Sequence, residues 1–153
     1  MPEVEEDKMP VRKARASWAP NEHGGGGEIR GDSGKLSVDY SAGSRFGSDP
    51  GTNPEELLGA AHAACFNMAL AFGLTAAGHP PTMLETAAEV TLEKQSDGYR
   101  ITAINLITVG SVPDITEQEF QDQAHITKLS CPVSKALTGV DIFLEAKRIE
   151  PGY

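Results

Sequence analysis

One apolar stretch constrains the fold of this chain more than any other: GTNPEELLGAAHAACFNMALAF, residues 51–72. Thr52 or Asn53 suits the N-cap of a helix, and Pro54 suits its first position. The stretch therefore predicts a long helix that begins at Pro54 and ends before Gly78. This helix is small or apolar nearly all round, so most of its faces should be buried. In a chain of 153 residues, a partner subunit could cover the faces that the chain itself leaves open.

The remaining patterns predict the order βββ-α-ββ-αα-β, an α+β fold with antiparallel sheet and helices packed on it. Alternating residues and turn signals place strands at 12–18, 28–30, 35–40 and 140–148, and a hairpin at 86–112 with Asp97-Gly98 at its turn. Residues 41–51 are expected to form a loop. A capping box of Thr116 and Glu119 starts a helix that runs to Leu129, and a shorter helix follows at 132–138.

Length and charge narrow the class of protein. The chain fits one domain, at residues 11–153, behind an acidic disordered tail at 1–10. A net charge of −9 argues against nucleic acid and anionic membrane surfaces as partners. The tail lacks the features of a secretion signal, and Glu55, Glu56 and His62 interrupt the best candidate for a membrane span. A cytoplasmic protein is expected, and structural disulfides are rare in that compartment.

The chain has two cysteines, Cys65 within the apolar helix and Cys131 directly before Pro132. Cys131 can occupy the N-cap of the following helix, where the thiolate form is favoured. Cys65 lies in the middle of a helix, so its activation would need a cation from elsewhere. Arg45 and Arg30 are candidates, because both are interpreted as loop arginines without a structural role, Arg30 at the end of the short strand expected within its loop. From spacing alone, a buried inert Cys65 and a redox-active pair both stay open.

Other chemistries have weaker support. His62 and Cys65 share a helix face, but no CxxC or HxxxH spacing supplies further zinc ligands, so no metal is expected. A hydrolase dyad of the same two residues would lack a third member. His62 is better interpreted as a histidine packed among alanines at a helix interface. The stretch GGGGEIRGDSGK, residues 24–35, lacks the phosphate-loop pattern and is interpreted as a flexible hairpin loop.

GTNPEELLGAAHAACFNMAL together with CPVSKAL resembles the OsmC branch of the OsmC/Ohr family, the osmotically inducible and organic hydroperoxide resistance proteins. The resemblance extends from about Ala14 to Arg148 and leaves out the acidic tail. It implies an intertwined homodimer, with two long central helices packed by strands from both chains. It also implies a peroxiredoxin-like thiol peroxidase that reduces organic hydroperoxides under oxidative or osmotic stress, with no metal, haem or flavin cofactor.

The resemblance also implies the site residues. By motif position, Cys65 resembles the peroxidatic cysteine and Cys131 the resolving cysteine. Glu55 resembles the glutamate that orients the family's catalytic arginine. Arg45, in SRF, resembles that arginine, with Arg30 as the second candidate. The implied cycle runs through a sulfenic acid on Cys65 and a disulfide with Cys131, which a dithiol reductant then opens.

Apolar residues near Cys65 are expected to favour bulky hydroperoxides, or else to serve only as core; these are Phe66, Met68 and Phe72. Two other functions stay open: a thiol–disulfide exchanger without peroxidase activity, and a non-enzymatic stress dimer that binds small molecules.

The spacing of Glu55 and Cys65 raises a geometric question. The two are ten residues apart, which is about 15 Å of rise on one straight helix. A single arginine could not readily bridge them there. Either the helix breaks near Gly59, or each active site uses both chains of a dimer.

Overall fold

The computed structural model describes residues 9–150. The chain divides into two compact units, one ending at Pro54 and the other beginning at Glu55. The acidic tail expected at residues 1–10 lies almost entirely outside the described residues. A single domain over residues 11–153 stays a prediction.

The first unit contains an antiparallel sheet in the order β1-β2-β3. Its strands are β1 (Ala14–Ala16), β2 (Gly26–Gly31) and β3 (Ser37–Ser41). All three predicted strands are confirmed, although β1 is shorter and β2 longer than expected. The interpretation of the glycine run as a flexible loop is half wrong, because Gly26 and Gly27 belong to β2. A Cβ at Gly27 would collide with the backbone oxygen of Ser17, so this close approach requires glycine.

The loop expected at residues 41–51 contains a short helix, α1 (Ala42–Phe46). Ser41 and Ser44 form a capping box: the Ser44 N–H donates to Ser41 Oγ at 2.9 Å, and the Ser41 N–H donates to Ser44 Oγ at 2.8 Å. Five residues are too few for a helical period, so only the caps could have revealed it. Arg45 lies in α1 and Arg30 in β2, so the expectation that both are loop residues is wrong.

The second unit contains most of the regular structure. Its elements are α2 (Pro54–Ala76), β4 (Met83–Gln95), β5 (Gly98–Ser111), α3 (Glu117–Ser130), α4 (Pro132–Ala136) and β6 (Asp141–Ile149). The predicted helices and strands are confirmed within a few residues. The predicted capping box of α3 is present, because the Glu119 N–H donates to Thr116 Oγ1 and the Thr116 N–H to the Glu119 carboxylate.

Helix α2 is one continuous helix of 23 residues and does not break at Gly59. Its end is fixed by Gly78, whose φ of 88° is left-handed, and by the N–H of His79, which donates to Leu74 O. Within this chain α2 buries a single stripe, fewer faces than expected. The members of this stripe are Glu55, Gly59, His62, Phe66, Leu70 and Leu74.

By length and composition alone, α2 is also apolar enough to cross a membrane, contrary to expectation. The reason is that Glu55 and Glu56 both lie in its first turn and leave the rest of the helix free of carboxylates. The core helix of a soluble protein can be equally long and equally apolar.

The sheet of the second unit has the order β4-β5-β6. Strands β4 and β5 form the predicted antiparallel hairpin, with Gln95 paired to Gly98. Strand β6, however, pairs with β5 in parallel, so the expectation of purely antiparallel sheets is wrong for this pair. The cause is the connection: α3 and α4 form a crossover that returns the chain in its original direction.

The core of the second unit lies between α2, α3 and this sheet. Its fully buried side chains include Phe66, Leu70 and Leu74 of α2, Ile104 and Leu106 of β5, and Phe120 and Ala124 of α3. A Cβ at Gly110 would lie 2.8 Å from both Leu84 and Phe120, so the core is closely packed where β5 meets α3. This packing fixes α2 against the sheet and so fixes the position of Cys65.

Candidate active site

The two cysteines lie in contact, although 66 positions separate them in the sequence. Cys131 Sγ is 3.1 Å from Cys65 Sγ. A disulfide bond is about 2 Å long, so the sulfurs touch without being bonded. Cys65 is partly exposed, whereas Cys131 has no exposed surface. A redox-active pair requires this proximity, and the difference in exposure makes the two thiols inequivalent.

The corner between α3 and α4 places Cys131 at this position. The Cys131 N–H donates to Thr127 O at 2.9 Å and ends α3, and its carbonyl accepts the Lys135 N–H at 3.0 Å and begins α4. Pro132 prevents α3 from continuing, because proline has no N–H to donate. Cys131 is the N-cap residue of α4, as predicted. Its side chain makes no capping hydrogen bond, and the sulfur contacts Cys65 instead.

A second polar contact joins α2 to α4. His62 Nε2 lies 2.8 Å from Ser134 Oγ, and both residues are buried. Burial lowers the pKa of His62, so its imidazole is neutral at pH 7. The position of His62 at a helix interface is confirmed, but sequence analysis missed Ser134. The available signal was spacing, since His62 precedes Cys65 by three residues and Ser134 follows Cys131 by three.

The surroundings of Cys65 act on its thiol in opposite directions. Burial raises its pKa above the ordinary value for cysteine, and contact with Cys131 raises it further. The backbone N–H of Val133, in the first turn of α4, donates a hydrogen bond to the sulfur and lowers the pKa. The pKa is raised on balance. These neighbours alone therefore favour the thiol, and a reactive thiolate needs a further positive charge.

The other expected catalytic residues lie in different elements. Glu55 is buried in the first turn of α2. Arg45 belongs to the first unit, where its guanidinium lies 5.4 Å from the centre of the Phe46 ring. Arg30, the second candidate, makes two contacts with the Glu28 carboxylate, at 2.7 and 2.9 Å. The catalytic roles of these arginines and of Glu55 stay predictions.

The residues expected to bind substrate are not equivalent. Phe66 is completely buried in the core, whereas Met68 and Phe72 are 60% and 48% exposed. Met68 also lines a groove of about 530 Å³ between α2 and the start of β4, together with Asn67 and Met83. In this chain Phe66 packs the core, and Met68 and Phe72 form an accessible apolar surface. Across residues 9–150, no three His, Cys, Asp or Glu side chains are grouped so as to hold a metal ion.

The known proteins that this chain matches are OsmC and organic hydroperoxide resistance proteins. Residues 47–145 match the model of the family described as OsmC-like protein. The chain is 42% identical to peroxiredoxin OsmC of Escherichia coli (strain K12) over 127 residues, which cover 82% of this chain and 89% of the relative. It is 32% identical to organic hydroperoxide resistance protein OhrB of Bacillus subtilis (strain 168), over 81% of this chain and 91% of the relative.

Solved structures share the fold. The crystal structure of OhrB of Bacillus subtilis superposes with a TM-score of 0.70 at 29% identity, covering 88% of this chain and 98% of that one. An organic hydroperoxide resistance protein OsmC from Legionella pneumophila gives a TM-score of 0.76 at 22% identity, over 94% and 100% of the two chains. These matches confirm the α+β fold class. Because the family model matches residues 47–145 and a relative shares 42% identity, this chain belongs to the OsmC-like protein family.

Proposed function

We propose that this protein is a cysteine-based peroxidase that reduces organic hydroperoxides to alcohols. The observation that carries the proposal is the pair of sulfurs 3.1 Å apart, one partly exposed and one buried. The names of the relatives, peroxiredoxin and organic hydroperoxide resistance protein, support the same class of reaction. The protein would act in the cytoplasm, against oxidative or osmotic stress.

The difference in exposure supports the division of roles between the thiols. Cys65 is the sulfur that a hydroperoxide can reach. Its thiolate attacks the outer peroxide oxygen, the O–O bond breaks, and the alkoxide takes up a proton and leaves as the alcohol. Cys65 is then a sulfenic acid. The Cys131 sulfur attacks the Cys65 sulfur, the S–O bond breaks, and water leaves as the disulfide forms. A dithiol reductant restores both thiols by exchange.

Activation of Cys65 requires a cation, because burial raises the pKa of this thiol. We assign this role to Arg45, with Glu55 orienting the guanidinium through paired hydrogen bonds. Arg30 is the second candidate, and its side chain contacts Glu28. Met68 and Phe72, both exposed, are the apolar residues best placed to contact the organic part of a substrate.

The unbroken α2 favours a site built from two chains. About 15 Å of helix separates Glu55 from Cys65, and their side chains point in different directions around the axis. Because α2 is continuous through Gly59, the alternative of a helix that breaks there is not supported. We therefore propose a homodimer in which Glu55 of one chain serves Cys65 of the other. Such a dimer would cover exposed apolar surface of α2 other than that of Met68 and Phe72.

A count of free thiols tests the function. One equivalent of cumene hydroperoxide is added to the wild-type protein and to Cys131→Ser. The wild type should lose two thiols, and the variant should accumulate a sulfenic acid that a dimedone probe captures. Cys65→Ser is the matched control and should consume no hydroperoxide.

The rival functions give different results in the same assay. A folded wild-type protein that keeps both thiols at neutral pH would overturn the peroxidase proposal. Turnover of a disulfide substrate by such a protein would then identify a thiol–disulfide exchanger. Lack of both reactions would favour a binding function in which neither cysteine takes part.

A further inference from the structure

We propose that the hydrogen bond between His62 and Ser134 positions Cys131 against Cys65 and so controls how readily their disulfide forms. The assignment of this step to a peroxidase cycle rests on the proposed function. The effect on disulfide formation itself does not, because it is a property of the dithiol. His62 and Ser134 are positioning residues in this proposal, since neither is assigned contact with the substrate.

The geometry couples the two contacts. His62 lies one helical turn before Cys65 on α2, and Ser134 lies one turn after Cys131 on α4. The distances are 2.8 Å between His62 Nε2 and Ser134 Oγ and 3.1 Å between the sulfurs. Both contacts therefore join the same pair of helices side by side. A shift of α4 along or away from α2 changes both distances together.

Helix α4 depends on such a tether. It has only five residues, and helices this short have little stability of their own. The corner at Cys131 connects it to α3, so a displacement of α4 would turn about this corner. The Val133 N–H already donates to the Cys65 sulfur close to that corner. The Ser134 side chain adds a contact with α2 one residue further along α4, and the two together restrain that displacement.

The imidazole of His62 depends on Ser134 in turn. Burial keeps it neutral, and within the described part of the chain its Nδ1 has no hydrogen-bond partner. Ser134 is thus the side chain that orients the ring. Without the Ser134 hydroxyl, both ring nitrogens would be buried without a partner in residues 9–150, and the interface would have to rearrange to satisfy them.

Disulfide formation is sensitive to this restraint. The sulfurs must approach from 3.1 Å to about 2 Å. Holding two reacting groups in contact raises their effective concentration, because the entropy of bringing them together has been lost in folding. When α4 moves freely, the Cys65 sulfenic acid reacts more slowly with Cys131. The reduced dithiol is also more stable relative to the disulfide.

The first test measures how readily the dithiol forms its disulfide, without any peroxide. Wild type and Ser134→Ala are equilibrated in glutathione redox buffers, and the disulfide fraction is read by alkylation and intact mass. We expect the effective concentration of the thiol pair to fall about tenfold in Ser134→Ala, the equivalent of one lost hydrogen bond. Ser111→Ala is the matched control, because Ser111 is buried in the same unit and its hydroxyl accepts a hydrogen bond from Thr82, distant in sequence from both cysteines.

Further variants separate positioning from loss of structure. Ser134→Thr keeps the hydroxyl and should restore most of the effective concentration. His62→Leu keeps the volume but removes the hydrogen bond, so it should match Ser134→Ala. The double variant should be no worse than either single one, since all three lack the same contact. These measurements stay informative even where one variant fails to fold.

The second test uses a single turnover with cumene hydroperoxide. Ser134→Ala should oxidise Cys65 at the wild-type rate but form the disulfide about tenfold more slowly, so that a sulfenic acid accumulates. Effective concentration and disulfide rate unchanged in Ser134→Ala, or additive losses in the double variant, would overturn the inference. If cumene hydroperoxide does not oxidise the wild type while the glutathione result holds, the peroxidase proposal fails and the positioning role stands.

Discussion

Cys131 is buried in contact with the partly exposed Cys65, with 3.1 Å between the two sulfurs. Cys65 is thus accessible to a substrate, whereas its neighbour Cys131 is inaccessible to solvent. This order suits a reaction in two steps, in which the exposed sulfur is oxidised first and the buried one then closes the disulfide. Burial also protects Cys131 from direct oxidation by the substrate.

The choice between Arg45 and Arg30 can be tested through the ionisation of Cys65. Burial raises the pKa of this thiol, and a neighbouring guanidinium would lower it. We expect Arg45→Met to shift the pH profile of Cys65 alkylation to higher pH, because the thiolate then forms only at more alkaline pH. Arg30→Met is the matched control and should leave the profile unchanged. A shift in the control alone would transfer the role to Arg30.

Mixed dimers test whether each site uses both chains. Cys65→Ser and Glu55→Gln should each reduce peroxidase activity strongly as pure proteins. Co-expression with two different tags yields dimers that carry one variant chain of each kind. If Glu55 of one chain serves Cys65 of the other, one of the two sites in the mixed dimer is intact, and about half of the wild-type activity returns. A mixed dimer as inactive as its parents would place both residues of each site in one chain.

The neutral, buried His62 predicts a loss of stability in acid. Its pKa is lowered in the folded chain, whereas in the unfolded chain it titrates near the ordinary value of about 6.5. Below that pH the unfolded chain binds a proton that the folded chain does not, so the free energy of unfolding falls as the pH falls. Urea unfolding at pH 5 and pH 7.5 should show a smaller difference for His62→Leu than for the wild type. Equal differences would remove His62 as the cause.

The packing at Gly110 predicts a strong effect of one added methyl group. A Cβ there would lie 2.8 Å from Leu84 and Phe120, whereas a Cβ at Gly139 meets nothing within 4 Å. Gly110→Ala should lower the free energy of unfolding by about 1–3 kcal/mol through overpacking. Gly139→Ala should change it by no more than about 0.5 kcal/mol. Denaturant unfolding of the two variants compares them directly, and similar values would contradict the closeness of the β5–α3 contact.

The sequence predicted what local signals determine. Thr116 with Glu119 marked the start of α3, Pro54 the start of α2 and Gly78 its end, because caps and left-handed glycines act within a few residues. Pairings between distant segments were harder to predict. The parallel pairing of β5 with β6 depends on how a crossover packs, and no single stretch encodes that.

In the site, too, contacts between distant segments were harder to predict than local features. Spacing alone left Cys65 either inert or redox-active, and only the family resemblance joined it to Cys131. The contact of His62 with Ser134 was missed, because its partners lie 72 positions apart and each looks ordinary in its own segment. Phe66 could not be distinguished from Met68 by sequence, since burial depends on which face of α2 meets the sheet.

The distance along the chain between the two cysteines has a thermodynamic consequence. A bond between residues 66 positions apart would close a loop that contains both strands of the β4–β5 hairpin and all of α3. Closing a loop of that length restricts the unfolded chain and would stabilise the folded one by roughly 4 kcal/mol in the chain-entropy model. The catalytic cycle would therefore alternate between a more and a less stable protein. Molecules awaiting reduction would be the ones that best resist heat and proteolysis.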